Sequence, residues 1–306
     1  MKVLNLVYPD KSDIPFSVVT FSDSQVYFKL EDPDALSGID VDIESRMSWN
    51  DVQVIIAAHA ALREAYVDNI FLTIPYFLGA RSDRKFVIGG NNYIKDVIAP
   101  IINSLEFSNV TVMDPHSDIV EACINNMEKV DNTYLVQWAL NDIYTDHVDP
   151  LRLYDEFVLV SPDAGALKKI YTVAEGIGYE GDIIVASKHR DIKTGKILST
   201  KVPGHDMYID KDFIIVDDII DGGRTFIEIA KVIKETFPDA KIYLIVTHGI
   251  FSAGFLELGQ WFDKIYCTNS VKDIDRSYIE KDTWSIRQRP IFEAPVDLIK
   301  QLNIFL

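Results

Sequence analysis

The sequence predicts an α/β protein of two tandem domains, each a mainly parallel sheet flanked by helices. Three observations carry this expectation. Short apolar runs rich in β-branched residues recur along the 306 residues, most end in a polar loop, and helical spacing follows several of them. Such uninterrupted runs suit strands buried on both faces. The length suffices for two cores. The division is expected near residue 145, giving domains 1–145 and 146–289, with residues 290–306 free to pack back on the first.

The elements follow in order. Val3 to Tyr8 is a first strand. Ser17–Phe21 and Gln25–Leu30 are two more, and the Phe21–Gln25 stretch between them reads as a hairpin tip. Ser48 is placed to cap a helix from Trp49 to about Ala65, with Val52, Ile55, Ile56, His59 and Leu62 along one face. His59 on that stripe reads as a core histidine. Phe71–Tyr76 is a strand, and its loop carries Arg81-Ser82-Asp83-Arg84-Lys85. Three cations in five residues at the carboxyl end of a strand suit a polyphosphate. A helix over about 94–105 precedes Val110–Met113, which runs into Asp114-Pro115-His116-Ser117-Asp118. On its own, His116 is a metal or phosphate ligand, a pH-sensitive acid or a turn residue.

The second half repeats the scheme. Glu156–Val160 is a strand ending in Ser161-Pro162-Asp163-Ala164-Gly165, and Lys168-Lys169 open a helix through about Gly176. Asp182–Ser187 is a strand that meets Lys188-His189-Arg190, then a polar hairpin to Asp210 read as a flap. Phe213–Val216 is a buried strand, followed by Asp217-Asp218, then Asp221-Gly222-Gly223-Arg224-Thr225, then Phe226, Ile229, Ala230 and Ile233 at helical spacing. Adjacent carboxylates suit sugar hydroxyls or Mg²⁺. A glycine loop opening a helix presents N–H groups to phosphate. Together they suit a phosphorylated sugar. Lys241–Gly249 and Lys264–Ser270 are the last strand-plus-loop units.

Bulk properties exclude some classes. Net charge is −17, from 30 basic and 47 acidic residues, which argues against a nucleic-acid partner. No stretch approaches the ~18 uncharged apolar residues of a membrane span. The start reaches Tyr8-Pro9-Asp10 too soon for a signal peptide, and Cys123 and Cys267 form no CxxC pair. A cytoplasmic protein with free thiols is expected.

The 217–225 stretch resembles the phosphoribosyl-pyrophosphate motif of the type I phosphoribosyltransferase fold. Taken in order, the clusters resemble the ribose-phosphate pyrophosphokinase family along nearly the whole chain. Phe21-Ser22-Asp23 is similar to that family's Phe-x-Asp-Gly-Glu hairpin, with Ser24 and Gln25 in place of Gly and Glu. Residues 81–85 are similar to its Arg-Gln-Asp-(Lys/Arg)-Lys loop, with Ser82 where Gln is usual. His116 falls at the Asp-x-His histidine, Ser161–Gly165 at Ser-Pro-Asp-x-Gly, and Lys188-His189-Arg190 at Lys-x-Arg of the catalytic flap. The Thr247-His248 loop and Thr268-Asn269-Ser270 also match family positions.

The resemblance implies two phosphoribosyltransferase-like domains and transfer of the diphosphoryl group of Mg-ATP to the 1-hydroxyl of ribose 5-phosphate. It implies Lys188 and Arg190 as catalytic groups, and Phe21, Asp23, Gln25, Arg81, Ser82, Asp83, Lys85 and His116 at ATP. It implies Asp217, Asp218, Asp221, Gly222, Gly223, Arg224 and Thr225 at ribose 5-phosphate, and His116 and Asp163 at Mg²⁺. It also implies a homo-oligomer whose ATP site is shared between subunits. The phosphate loop departs from the common Asp-Thr-x-Gly-Thr at Gly222 and Arg224. A phosphoribosyltransferase, or a non-catalytic regulatory paralogue, is the alternative reading.

Overall fold

The computed structural model of this chain describes residues 1–144, 150–190, 197–202, 206–274, 280–281 and 284–292. Two compact units result, Met1–Val130 with the returning end from Ile291, and Asp131–Pro290. The division thus falls at 130/131 rather than near 145. The reason lies in the helix Thr133–Tyr144, whose Leu135, Val136, Ala139 and Leu140 are buried in the core of the second unit. Of the returning end, only Ile291 and Phe292 are described, both in the first unit.

In the first unit, β1 (Lys2–Asn5), β4 (Val41–Glu44), β5 (Ile70–Thr73), β6 (Asn109–Met113) and β7 (Met127–Val130) pair in that order, all parallel. The strands β2 (Phe16–Thr20) and β3 (Val26–Leu30) form a separate antiparallel hairpin. Helix α1 (Trp49–Glu64) starts at Ser48 through a capping box: Ser48 Oγ accepts from the Asp51 N–H, and the Asp51 carboxylate accepts from the Ser48 N–H. It buries Val52, Ile55, Ala58, His59 and Leu62 on the sheet.

The helix expected over 94–105 is instead a π-helical turn, Ile94–Ile98, followed by α2 (Ala99–Asn103). Pro100 has no N–H to continue the usual ladder. The short helix α3 (Asp118–Cys123) then precedes β7. Strands β4 and β7 lack a continuous apolar run, because Asp42 and Glu44 break one and Glu128 and Lys129 the other.

The second unit opens on α4 (Thr133–Tyr144). It then runs β8 (Phe157–Ser161), α5 (Leu167–Ile177), β9 (Ile183–Val185), β10 (Ser187–Arg190), β11 (Ile197–Lys201), β12 (Asp212–Ile220), α6 (Arg224–Thr236), β13 (Ile242–Gly249), β14 (Lys264–Thr268), β15 (Glu280–Lys281) and β16 (Trp284–Arg289). The sheet order is β15-β16-β14-β13-β12-β8-β9, parallel except for β15. Strands β10 and β11 form a separate hairpin where the flap was expected.

Side chains alternate across β8 and β12. Val158, Val160, Phe213 and Ile215 pack on the α6 face. Phe157, Leu159, Ile214 and Val216 pack on the α4–α5 face. Strand β12 also runs further than its apolar run suggested. Asp217 pairs with Val246 and Ile219 with His248, so the acid pair lies within the strand rather than beyond it.

Candidate functional site

Because β8, β12, β13 and β14 are parallel, their carboxyl ends gather on one edge. Strand β8 has its successor β9 on one side and β12 on the other. That reversal is a topological switch point, where open α/β sheets bind ligands. The residues at the ends of β8 and β12 include Asp163, Asp217 and Asp218, three of those singled out from the sequence.

Strand alternation puts Asp218 on the α5 face, and there it meets a group that the sequence had suggested only as a helix start. Lys169, in the first turn of α5, donates to Asp218 Oδ2 as an ion pair. Asp218 is 4 % exposed. A cation in the first turn of the helix after the Asp163 turn is the signal that points to it. Asp217 Oδ1 accepts from the Asp218 N–H at 2.9 Å. Burial, then the neighbouring Asp218 and Asp163, push the Asp217 carboxyl well above the ordinary carboxylate range, and Lys169 offsets part of this.

Asp163 is held by its own turn. Its Oδ1 accepts from Gly165 N at 3.0 Å and Ala166 N at 3.2 Å, while Ser161 Oγ donates to its carbonyl at 2.8 Å. This edge therefore offers hard oxygen donors in a region of excess negative charge, a donor set that fits Mg²⁺. Among the described residues no three His, Cys, Asp or Glu side chains form a closed metal site. Mg²⁺ normally takes only one or two carboxylates and completes its shell with water and substrate phosphate.

After β12 the chain turns through Asp221 and Gly222 to Gly223, whose φ is +80°. Gly223 precedes the first residue of α6. Glycine is needed at 223 and not at 224: Arg224 is already helical, exposed, and at the helix start. That places the first-turn N–H groups of a 13-residue helix toward the loop, with Thr225 half-buried beside them.

The neighbouring strand ends are closed by a polar network. Buried His248 Nδ1 lies 2.8 Å from Ser270 Oγ, and Thr268 Oγ1 donates to the Thr247 carbonyl at 2.6 Å. Lys188 and Arg190 lie on β10; their side chains fall outside the described residues.

In the first unit, Phe21 sits at the hairpin tip, 50 % exposed, and Asp23 Oδ1 accepts from the Gln25 N–H at 3.1 Å. Ser24 takes φ +70°, a left-handed conformation that suits glycine. The basic loop is anchored at its base: Ser82 N donates to the Gly79 carbonyl at 2.7 Å and Tyr93 N to the Ser82 carbonyl at 3.0 Å. Ser82 and Asp83 are half-buried there, while Arg81 and Lys85 are exposed. Arg84 lies over the Phe86 ring. His116 is exposed between buried Pro115 and half-buried Ser117, and Ser117 caps α3.

This architecture, with an acid pair and a glycine loop at the switch point, defines a protein of phosphoribosyltransferase-like fold. A family model described as "Phosphoribosyl synthetase-associated domain" matches residues 206–281. A ribose-phosphate pyrophosphokinase of Mycoplasmopsis pulmonis is 29 % identical over 229 residues, covering 74 % of this chain and 67 % of that protein. One of Thermosipho africanus is 29 % identical over 69 % of this chain, which spans 63 % of that relative. One of Vibrio parahaemolyticus is 26 % identical over 83 % of this chain and 78 % of its own length. Phosphoribosylpyrophosphate synthetase from Mycobacterium smegmatis shares the fold, with a TM-score of 0.76 at 17 % identity over 97 % of this chain and 93 % of that one. The chain is therefore similar to ribose-phosphate pyrophosphokinases over most of its length and shares the fold of a phosphoribosylpyrophosphate synthetase.

Proposed function

We propose that the protein is a ribose-phosphate diphosphokinase. The 1-hydroxyl oxygen of ribose 5-phosphate attacks the β-phosphorus of ATP and the bond to the α-phosphate oxygen breaks. Phosphoribosyl pyrophosphate, AMP and one proton are the products. The observation that carries this reading is the junction of Asp163, Lys169, Asp217 and Asp218 at the β8–β12 switch point, beside a glycine loop that opens α6.

Asp217 and Asp218 would hold the ribose hydroxyls. Lys169 fixes Asp218 so that sugar meets an oriented carboxylate. Asp221, Gly222, Gly223, Arg224 and Thr225 would hold the 5-phosphate, largely through backbone N–H groups, with exposed Arg224 as an added cation at the rim. Arg81, Ser82, Asp83, Lys85 and His116 would hold ATP. Phe21, Asp23 and Gln25 would meet its adenine from a neighbouring subunit of a homo-oligomer. Gln25 keeps an acceptor without charge, which favours a relaxed nucleotide preference.

His116 and Asp163 would hold Mg²⁺, which supplies neutralisation of the phosphate charge when bound. Lys188 and Arg190, on the β10–β11 hairpin, would stabilise the moving group and exclude water. No covalent nucleophile is needed.

The test is AMP formation from Mg-ATP and ribose 5-phosphate. The expected result is stoichiometric AMP and phosphoribosyl pyrophosphate, with Lys188→Ala reducing kcat by about 10²-fold or more. Absence of AMP, with Lys188→Ala and the parent alike, would sink the reading.

A further inference from the structure

The phosphate loop is gripped from outside by a segment to which the proposed reaction assigns no task. Between β13 and β14, the turn after Gly249 folds back on residues 220–223. Ile250 N donates to the Ile220 carbonyl at 2.9 Å, and Ser252 N to the Asp221 carbonyl at 3.2 Å. Ser252 Oγ donates to Asp221 Oδ1 at 2.5 Å. A Cβ on Gly222 would lie 3.8 Å from Ser252 Oγ, and one on Gly223 would lie 2.9 Å from Leu258 Cδ2. Phe251 takes φ +48°, and its ring packs on Phe255. The turn is therefore built around these contacts.

The side-chain bond has a chemical consequence. An aspartate just before a helix readily accepts N–H groups from the following residues. In this loop such a bond would put carboxylate where the 5-phosphate must bind, on the same amides. Two anions cannot share them.

We propose that Ser252 is a positioning residue for the sugar-phosphate loop. By holding Asp221 Oδ1, it draws that carboxylate to the β13–β14 side and leaves the α6 amides to the phosphate. This rests on the reading of residues 221–225 as the 5-phosphate site. It predicts a selective effect on one substrate, because among the described residues the hydrogen bonds of Ser252 run to the backbone and side chain of Asp221.

The experiment uses the full chain. Ribose 5-phosphate binding is measured by calorimetry, and steady-state constants for both substrates are measured where turnover is detected. Ser252→Ala should weaken ribose 5-phosphate binding and raise its KM about tenfold, as expected for loss of a hydrogen bond to a charged group. The KM for ATP and kcat should stay within about twofold of the parent, and Ser252→Thr should restore binding. Unchanged ribose 5-phosphate affinity in Ser252→Ala would overturn the inference, as would a parallel loss for both substrates or failure of Ser252→Thr to restore. Parent protein that binds ribose 5-phosphate but forms no AMP would refute the diphosphokinase reading, while the calorimetric comparison would still decide the role of Ser252.

Discussion

At the scale of single residues, the glycine loop shows how a side chain can be harmless in one position and costly in the next. Arg224 is the first helical residue and exposed, so an ordinary side chain fits. The conformational demand falls on Gly223, at φ +80° with Leu258 against it. Gly223→Ala is expected to destabilise the protein by about 1–3 kcal/mol, combining left-handed strain with overpacking. Chemical denaturation of the variant checks this, and an unchanged midpoint would contradict it. Ser24 shows the converse: a non-glycine residue holds φ +70° at the hairpin tip, and the turn survives with Asp23 accepting from Gln25 N. Cys267 is fully buried in the second core, where its thiol is pushed up to about 12 and is inert.

At the scale of elements, helix starts and strand ends decide where chemistry lies. Helix α1 begins where it does because Ser48 and Asp51 satisfy each other's N–H groups. Ser48→Ala should cost about 1 kcal/mol, read as a lower melting temperature with unchanged substrate constants. A loss of ATP affinity instead would mean that the cap does more than start a helix. Helix α6 has no such device: glycine precedes it and no side chain caps its start, while the Phe226 N–H turns to the Gly223 carbonyl. The two helix starts differ in sequence as they differ in capping. Strand β12 continues through Asp217 and Asp218 because Ile219 and Ile220 still pair with β13. One acid therefore faces the α6 side of the sheet and the other faces α5, where Lys169 reaches it.

At the scale of the whole molecule, each unit buries carboxylates at or near its sheet, with consequences for stability. In the first unit, burial, reinforced by Asp42 and Asp13, pushes Glu44 from its ordinary 4.5 to about 8, and burial pushes Asp42 from 3.8 to about 6. The folded chain therefore holds protons that the unfolded chain releases. Stability should be greatest below about pH 4.5 as far as these groups decide it, and fall as pH rises toward 8, by on the order of 2 kcal/mol once solvent access is allowed for. Glu44→Gln keeps an acceptor for Asn5 Nδ2 and should flatten that slope in a melting-temperature series. An unchanged slope would show that Glu44 is not its source.

Much of this molecule was legible in the chain itself. Apolar runs with turn residues marked most strands of both sheets, and the acid pair, the glycine loop and Asp163 could be picked out as candidates. Those features are local, set by side-chain chemistry and spacing within a few residues. Other features were not legible. The division at 130/131 depends on which core buries α4. Strands β4, β7 and β16 exist because a neighbour supplies their hydrogen bonds, despite charged residues within them. Lys169 on Asp218 and Ser252 on Asp221 join residues 49 and 31 positions apart. The sequence by itself determined the local elements and most of the candidate site. Only the tertiary structure decided which helix cation meets which acid and which turn holds the glycine loop, because sheet order and strand alternation, set by packing, bring distant segments together.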